Sequence, residues 1–327
     1  MSKNARSSNK NHESYLTIQT AITMQKTNYP LLRSLVLAAA CVASVQVPVQ
    51  ASLSAKVAFV DDVGALTPWY DDVASHVNAA LAEWGKVVLG DAELDVEIKV
   101  THNVPRSAAS STSSAFVRYQ NGLSIYAPGA IKKVNDGIDV NGTAADVEIL
   151  INPFYLTSEL WFDPDPFVRQ ALMPSNKTDA MSVFMHEIGH ALGYNGWGNS
   201  FDGGLPASYA STWDLLTEFD GGSLYFVGTN AQQTYGGRVP ITMGNNYHIG
   251  NSHGPGDDLL EDVMNGVVFY RGFRYEISPL NVAMLKDMGV SVQAVPEPES
   301  IAMLMAGLLV VAFGRQGLKR QQSLTYS

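Results

Sequence analysis

The sequence predicts an α/β (α+β) fold, in which a mixed sheet is combined with a long N-terminal helix and a loop-rich C-terminal part. Apolar residues recur at helical spacing from Trp69 to about Val88. Apolar and polar residues alternate strictly over Leu94–Val100, which is typical of a half-buried strand. Because the long helix lies between strands along the chain, the pattern favours a layered helix-and-sheet domain over a sandwich.

The first half of the body contains four segments with strand character, separated by polar stretches. The stretch 105–114 is rich in Ser and Ala, and 132–142 is rich in Gly, Asn and Asp, so both are predicted to be loops. The predicted strands are Ala55–Val60, Leu94–Val100, Leu123–Ala127 and Ala145–Asn152.

The second half begins with a helix over Asp179–Tyr194, which carries apolar side chains along one side. Asp179 is suited to its N-terminus, and Gly193 is suited to ending it in a left-handed turn. The chain is then rich in Gly and Asn through residue 256, interrupted by short segments at 209–218 and 224–234. A final helix is predicted over Ser278–Met288.

The composition argues against nucleic-acid binding and against a fold stabilised by disulfides or by Cys-ligated zinc. The chain of 327 residues has 21 Lys and Arg against 31 Asp and Glu, a net charge of −10. This balance argues against nucleic-acid binding, which needs a basic surface to displace counterions. Its single Cys, Cys41, allows neither an intramolecular disulfide nor a Cys-based zinc finger.

The N-terminal segment has the order of a secretory signal. A polar region with five basic residues precedes the apolar run Leu35–Val45, and Val49-Gln-Ala51 then suits cleavage by signal peptidase. Residues 1–51 are therefore predicted to be a leader and signal peptide. This predicts an exported protein whose body, residues 52–294, carries 13 Lys and Arg against 28 Asp and Glu.

The C-terminal segment, residues 295–327, combines a Pro-Glu-Pro triplet, a short apolar run and a basic end. Val295-Pro-Glu-Pro298 is followed by the 13 apolar or small residues Ile301–Phe313, and then by three basic residues. This order resembles the PEP-CTERM sorting signal of Gram-negative bacteria. The resemblance implies transient membrane association through this segment, processing by an exosortase-type enzyme, and a location at the cell surface or outside the cell. A plain C-terminal membrane anchor is the alternative.

The central motif is His186-Glu187-Ile-Gly-His190, inside the predicted helix 179–194. Histidines at positions i and i+4 lie on one face of a helix, one turn apart, so their imidazoles can converge on one ion. Glu187 lies about 100° further around the helix, where its carboxylate can reach a water without being a ligand. The motif is typical of zinc hydrolases, and two polar-face histidines without a metal are the alternative.

The extended motif, which runs on through Gly193, resembles that of the metzincin metallopeptidases, H-E-x-x-H-x-x-G-x-x-H. The sequence departs from this pattern at the third His, where Gly196 stands. The similarity therefore implies a metzincin-like zinc-protease fold with a leishmanolysin-type insertion before the third His. It divides the body into an N-terminal subdomain to about residue 194 and a C-terminal subdomain over about 195–294.

Two histidines downstream of the motif could be the third ligand. The resemblance covers the segment 231–241, and the spacing after it favours His248 over the alternate, His253. Met264 corresponds to the Met-turn, an apolar floor beneath the metal, and the closing helix ends in Asp287-Met-Gly289. Four acidic side chains are alternative oxygen ligands, although solvated loop charges explain them better: Asp257, Asp258, Glu261 and Asp262.

The resemblance implies a secreted zinc-dependent metalloendopeptidase that acts on a peptide or protein substrate. His186, His190 and His248 would hold Zn²⁺, and Glu187 would be the general base. A nearby Tyr would help to stabilise the oxyanion, with candidates at positions 194, 235, 247, 270 and 275. The strand ending at Asn152 is a candidate for edge pairing with a bound peptide. The alternatives are a catalytically silent surface or biofilm-matrix structural protein and a hydrolase of non-peptide amides or esters.

Overall fold

The computed structural model describes residues 52–293, apart from 62, 63 and 65. All of these residues belong to one compact unit. The predicted signal peptide and leader, residues 1–51, and the predicted sorting signal, residues 295–327, lie outside the described residues. Within the described part, no helix combines the length and the apolar character needed to cross a bilayer.

The described residues form an α+β fold with several small sheets. In chain order the strands are β1 (Leu53–Asp61), β2 (Ala92–Val100), β3 (Ser107–Ser111), β4 (Ser114–Gln120), β5 (Leu123–Pro128), β6 (Val147–Ile151), β7 (Leu160–Trp161), β8 (Thr178–Asp179), β9 (Tyr209–Ser211), β10 (Thr217–Asp220), β11 (Ser223–Phe226) and β12 (Val239–Pro240). The α-helices are α1 (Tyr70–Gly85), α2 (Gly129–Asp136), α3 (Ala180–Leu192), α4 (Thr229–Tyr235) and α5 (Pro279–Asp287). Short turns of other helix types span Thr67–Trp69, Tyr155–Glu159, Asp214–Leu216 and Asp257–Leu259.

The main sheet has four strands in the order β1-β2-β6-β3. The first three run parallel, and β3 runs antiparallel to β6. This mixed sheet confirms the predicted class. The remaining sheets are the triples β10-β11-β12 and β4-β5-β9 and the pair β7-β8.

Two helices pack together beside the main sheet. The indole of Trp84 on α1 is fully buried, and its Nε1 donates a hydrogen bond of 2.9 Å to the carbonyl of Met185 on α3. Every residue of α3 is buried, as expected of a helix enclosed on all sides. Asp179 caps it by accepting a hydrogen bond of 3.1 Å from the amide of Ser182. The predicted cap of this helix is therefore confirmed.

The end of α3 differs in detail from the prediction. Gly193 does terminate the helix, but with φ +153° and ψ −22° it lies outside the left-handed helical region. Its amide still satisfies the last turn by donating to the carbonyls of Gly189 and His190. Its positive φ is one that side-chain-bearing residues rarely adopt, which explains why a glycine stands here.

Two predicted loops contain regular structure. The stretch 105–114 contains β3, whose Ser and Ala side chains show no alternation of apolar and polar residues. The strand forms because its backbone pairs with β6. The stretch 132–142 includes the end of α2, which buries Ala130, Ile131 and Val134 against the core and ends at Gly137 with φ +69°. The loop predictions were therefore wrong for 107–111 and 132–136, where tertiary packing overrode local composition, and residues 137–142 are irregular as predicted.

The predicted closing helix is confirmed as α5, and its C-terminal end forms hydrogen bonds with α4. Ser278 and Asn281 form a reciprocal capping box at the start of α5. At the other end, the Asp287 carboxylate accepts hydrogen bonds from the amides of Asn230 and Ala231, at 3.0 and 2.8 Å. This carboxylate therefore provides the first turn of α4 with the cap that Gly228 lacks.

Candidate metal centre

The two histidines of the motif lie one turn apart on α3, as predicted. Both are buried, and their Nε2 atoms are 3.2 Å apart. The two rings meet edge to face, with centroids 4.8 Å apart. Both Nε2 atoms therefore face the same small volume.

The third histidine of the group is His248. Its Nε2 lies 3.0 Å from that of His186 and 3.1 Å from that of His190. Although it follows His190 by 58 residues, backbone pairing of the next residue fixes its position. Ile249 forms bridges with both Ile241 and Asn265, so the segment that carries His248 is held between two neighbours.

Hydrogen bonding holds each of the three imidazole rings in the same tautomer, with the proton on Nδ1. Each Nδ1 donates to a backbone carbonyl: His186 to Val263 at 2.6 Å, His190 to Tyr194 at 2.7 Å and His248 to Asn245 at 3.2 Å. Because a carbonyl oxygen can only accept, Nδ1 carries the proton and each neutral ring directs an Nε2 lone pair into the shared volume. No partner among the three supplies a proton to the others, which leaves three lone pairs facing one another.

A divalent ion fits this arrangement. Tetrahedral zinc with Zn–N bonds of about 2.0–2.1 Å requires ligand nitrogens about 3.3 Å apart. The three Nε2 separations of 3.0, 3.2 and 3.1 Å lie close to that value. Outer hydrogen bonds from Nδ1 to carbonyls are those that metal-bound histidines make.

Burial keeps the three imidazoles neutral. Burial and, to a smaller extent, the neighbouring His190 together lower the pKa of His186 to about 3, while the hydrogen bond to the Val263 carbonyl acts in the opposite direction. Burial also lowers the pKa of His190 to about 4 and that of His248 well below its ordinary value. A neutral ring is the form that binds a metal, so no proton has to be removed near neutral pH.

Glu187 lies beside the histidines with one carboxylate oxygen unused. The side chain is 3% exposed, and its Oε2 has no hydrogen-bond partner among the described residues. Burial raises its pKa to about 7, while a hydrogen bond with Ser107 acts in the opposite direction. A carboxyl with a pKa near neutrality can take up and release a proton.

The other predicted ligands lie elsewhere. His253 is exposed in a turn and is not part of the histidine group. Asp257 and Asp258 begin a short 3-10 helix, and Glu261 is exposed. The buried Asp262 is engaged by Met264, Asn281 and Ser278, which donate to its carboxylate at 2.8, 2.7 and 2.7 Å.

Met264 is fully buried and contacts the histidine helix. A Cβ placed on Gly189 would lie 2.5 Å from the sulfur of Met264, so the thioether fills the space beside this glycine. The turn that carries Met264 is fixed by Asp262, whose carbonyl accepts from the amide of Asn265 at 3.1 Å. The structure thus places Met264 against the histidine helix at Gly189.

Gly196, which stands where the metzincin pattern has its third histidine, is enclosed by an aspartate. A Cβ placed there would lie 2.3 Å from Oδ1 of Asp214. The same carboxylate accepts from the amides of Trp197, Gly198 and Ser211, at 3.0, 3.1 and 2.8 Å. This position therefore has room for neither a side chain nor a ligand.

A second group of potential ligands, Asp95, Asp139 and Asp146, surrounds a lysine. The Nζ of Lys133 lies 2.7 Å from Asp146, 3.3 Å from Asp139 and 3.5 Å from Asp95. An ammonium group thus already balances these carboxylates.

The histidines and Glu187 lie in an open cleft of about 380 Å³. The chain from Pro105 to Ala109, which leads into and begins β3, lines this cleft, and so does the segment 265–269 that follows the Met264 turn. Sequence reasoning missed Arg106, Ser107 and Tyr155, which also line this cleft. Residues 105–114 were predicted as a loop, and nothing in their composition signals a cleft wall.

Of the five tyrosines predicted to be candidates for the oxyanion, Tyr247 alone lines the cleft. Its hydroxyl donates to the carbonyl of Gly198 at 3.2 Å. Tyr194 is fully buried and donates to the carbonyl of Asn281. The interior strand β6, predicted as a candidate for pairing with a peptide, has both edges occupied, by β2 and β3. The free edge of the sheet beside the cleft belongs to β3 instead.

Comparison with known proteins adds no family to this description. No family model matches the sequence, no curated protein matches it, and no solved structure matches the fold.

Proposed function

We propose that the protein is a zinc-dependent metalloendopeptidase with a metzincin-like fold. The observation that carries this proposal is the convergence of three neutral histidine nitrogens, 3.0–3.2 Å apart, beside a buried carboxylate with an unused oxygen. All four groups lie in one open cleft. Together they form the ligand set and general base of a zinc hydrolase.

His186, His190 and His248 would hold the ion. Zinc supplies Lewis acidity when bound, which acidifies water and polarises a carbonyl oxygen. Glu187 takes the proton from the attacking water, because its unused Oε2 is free to accept it. The same carboxyl then gives this proton to the leaving amine. The carbonyls of Val263, Tyr194 and Asn245 hold the three rings in orientation.

The edge of β3 provides a place for an extended peptide. In the described part of the chain, β3 pairs with β6 alone, so its outer backbone groups are available. Ser107, Ala108 and Ala109 line the same cleft as the histidines. A peptide that pairs antiparallel with this edge would pass in front of Glu187 with its backbone held and its side chains directed into the cleft.

The proposed location and partners follow from the terminal sequences. Residues 1–51 would direct export, and residues 295–327 would give transient membrane association before cleavage by an exosortase-type enzyme. The protein would then act on a peptide or protein substrate at the cell surface of a Gram-negative bacterium or outside it. The absence of Cys from residues 52–294 means that the folded body needs no disulfide.

The decisive experiment compares wild type with Glu187→Gln. Both proteins are incubated with a mixed peptide library, and the zinc content of each is measured. We expect wild type to cleave and Glu187→Gln to lose at least about 100-fold in rate, the scale of general-base catalysis. Both should contain about one zinc per chain, because Glu187 is not a ligand. Glu93→Gln, on an exposed position of β2, is the matched control and should cleave like wild type.

Each alternative outcome has a defined meaning. Zinc in every variant with cleavage in none would contradict the peptidase proposal and favour a silent surface or matrix protein. Ester or non-peptide amide hydrolysis that depends on Glu187 would keep the mechanism and change the substrate class. Wild type that binds no zinc would contradict the metal centre itself.

A further inference from the structure

Arg106 brings to the cleft a positive charge that is not paired with any carboxylate of the described residues. It is exposed and lines the cleft, and its guanidinium makes no hydrogen bond or ion pair with any described residue. Its backbone is nevertheless held, since its carbonyl accepts from the amide of Asn152 at 2.7 Å. The side chain therefore extends from a fixed base, and its charge is available to a ligand.

The remaining arginines of the described residues have partners. Four of them form ion pairs with carboxylates: Arg169, Arg238, Arg271 and Arg274. Arg118 donates to the side chain of Gln120 at 2.8 Å. Because residues 52–294 carry 28 acidic residues, a lone guanidinium beside the catalytic groups is an exception that local charge balance does not explain.

Other polar side chains of the cleft are already used within the protein. Asn265 donates from its amide to the carbonyl of Asp262 and accepts from two following amides. Asn245 donates to the carbonyl of Gly266, and Tyr247 donates to that of Gly198. Apart from Glu187, Arg106 is thus the charged group in the cleft that remains open to a substrate.

The position of Arg106 relates it to one side of the bond to be cleaved. It immediately precedes β3, so it lies at the N-terminal end of that strand. A peptide paired antiparallel with β3 has its C-terminal part at that end. Arg106 and Tyr155 both line the cleft, and the Arg106 charge acts to lower the pKa of that buried tyrosine against the effect of burial. Arg106 therefore lies in the part of the cleft that would receive the C-terminal side of such a peptide.

We propose that Arg106 binds a carboxylate of the substrate on the C-terminal side of the scissile bond. A guanidinium forms two parallel hydrogen bonds with a carboxylate, which makes it selective for this group. The carboxylate can be the side chain of an acidic residue or the free C-terminus of the peptide. This inference rests on the proposed peptidase function, which it deepens by naming acidic or C-terminal peptides as the substrate class.

Four peptides that are otherwise identical distinguish an acidic side chain from a free C-terminus as the source of the carboxylate. They carry Glu or Gln after the cleaved bond, and each ends in a free carboxylate or an amide. We expect wild type to prefer one carboxylate over its neutral counterpart by about tenfold in kcat/KM, or 1.4 kcal/mol. Preference for Glu identifies an acidic side chain, and preference for the free end identifies a C-terminal carboxylate. In Arg106→Gln the ratio should fall to about one, whereas the control Arg118→Gln on β4 should retain it.

A binding measurement separates this inference from the proposed function. Fluorescein-labelled forms of the four peptides are titrated with Glu187→Gln, and with Glu187→Gln combined with Arg106→Gln, by fluorescence anisotropy. We expect the same preference in Kd for Glu187→Gln and its loss in the double variant. A preference in binding without cleavage by wild type would contradict the peptidase and support the carboxylate site. Equal Kd values for all four peptides, or a preference that survives Arg106→Gln, would overturn the inference.

Discussion

Met264 and Gly189 form one contact that joins the turn after the third histidine to the helix that carries the first two. The space where a Cβ of Gly189 would lie is filled by the Met264 side chain, whose sulfur would be 2.5 Å away and whose methyl would be 3.1 Å away. Trp84 on α1 closes the same space from another side, at 3.3 Å. The packing of Met264 and Trp84 therefore explains why a glycine stands at position 189.

Gly189→Ala should destabilise the fold. The added methyl overlaps a fully buried thioether that is itself enclosed, and overpacking of this kind costs about 1–3 kcal/mol. Urea denaturation measures this loss in the free energy of unfolding. In a Met264→Val background the same change should cost less, since the shorter side chain leaves room. Gly237→Ala is the control, because nothing lies within 4 Å of the position of its Cβ; an equal loss there would contradict the packing argument.

His248→Ala should abolish tight zinc binding, whereas His253→Ala should not. His248 provides one of three converging nitrogens, and His253 is exposed in a turn outside this group. Loss of an outer partner alone weakens metal binding by about 10–100-fold, so loss of a ligand should exceed this. Competition with a zinc indicator measures both affinities. Equal affinities in the two variants would contradict the assignment of His248.

Gly196→His should fail to restore zinc binding to His248→Ala, although it recreates the metzincin spacing. The position is enclosed by the carboxylate of Asp214, which would lie 2.3 Å from the new Cβ. We expect the double variant to unfold at a lower temperature than His248→Ala alone and to bind no more zinc. Thermal unfolding and the indicator assay test the two statements. Recovery of zinc binding would show that the loop 196–198 can be rebuilt.

The free energy of unfolding should decrease as the pH falls below about 6.5, and His76 should contribute to this decrease. This histidine is 1% exposed; its Nδ1 donates to the carbonyl of Asp72, and its Nε2 accepts from the amide of Asp163 at 3.0 Å. Burial lowers its pKa, while the backbone carbonyl of Asp72 and the nearby carboxylates of Asp179, Asp72 and Asp163 act in the opposite direction. Because the unfolded chain then binds a proton more readily, the stabilisation present above pH 6.5 is lost as the pH falls towards the lowered value.

Thermal unfolding at several pH values tests the contribution of His76. His76→Gln should show a smaller loss of Tm between pH 7 and pH 5 than wild type, because one titrating group is removed. The buried histidines of the cleft remain in both proteins, so their effect cancels in the comparison. The exposed His102 provides the control variant, His102→Gln. A pH dependence of His76→Gln identical to that of wild type would show that the stability change arises elsewhere.

The elements that the sequence predicted correctly are those in which apolar residues recur at the spacing of a strand or a helix. Strand β2 alternates apolar and polar residues, and its burial alternates in the same way. Helix α3 follows the apolar spacing and begins at the predicted cap. Strand β3 has no such pattern, because its Ser and Ala residues are held in place by β6, which is far away in sequence. Its existence therefore depends on a partner that local composition cannot reveal.

The same distinction applies to the candidate site. The spacing of His186 and His190 determines that they share a helix face, so their convergence was predictable. The choice of His248 over His253 relied on a resemblance, whereas in the structure it depends on the pairing of Ile249 with Ile241 and Asn265. Arg106 could not be foreseen, because its role depends on where β3 begins and on which arginines find partners.

The free edge of β3 also bears on self-association. An unpaired strand edge can recruit strands from other molecules, and proteins commonly protect such edges. Here the edge is five residues long and contains only Ser and Ala, and its first three residues line the cleft of about 380 Å³. A strand this short offers few backbone groups to the sheet edge of another molecule, which is one way in which proteins limit edge-to-edge pairing. The shortness of β3 therefore limits edge-to-edge association between copies of the protein.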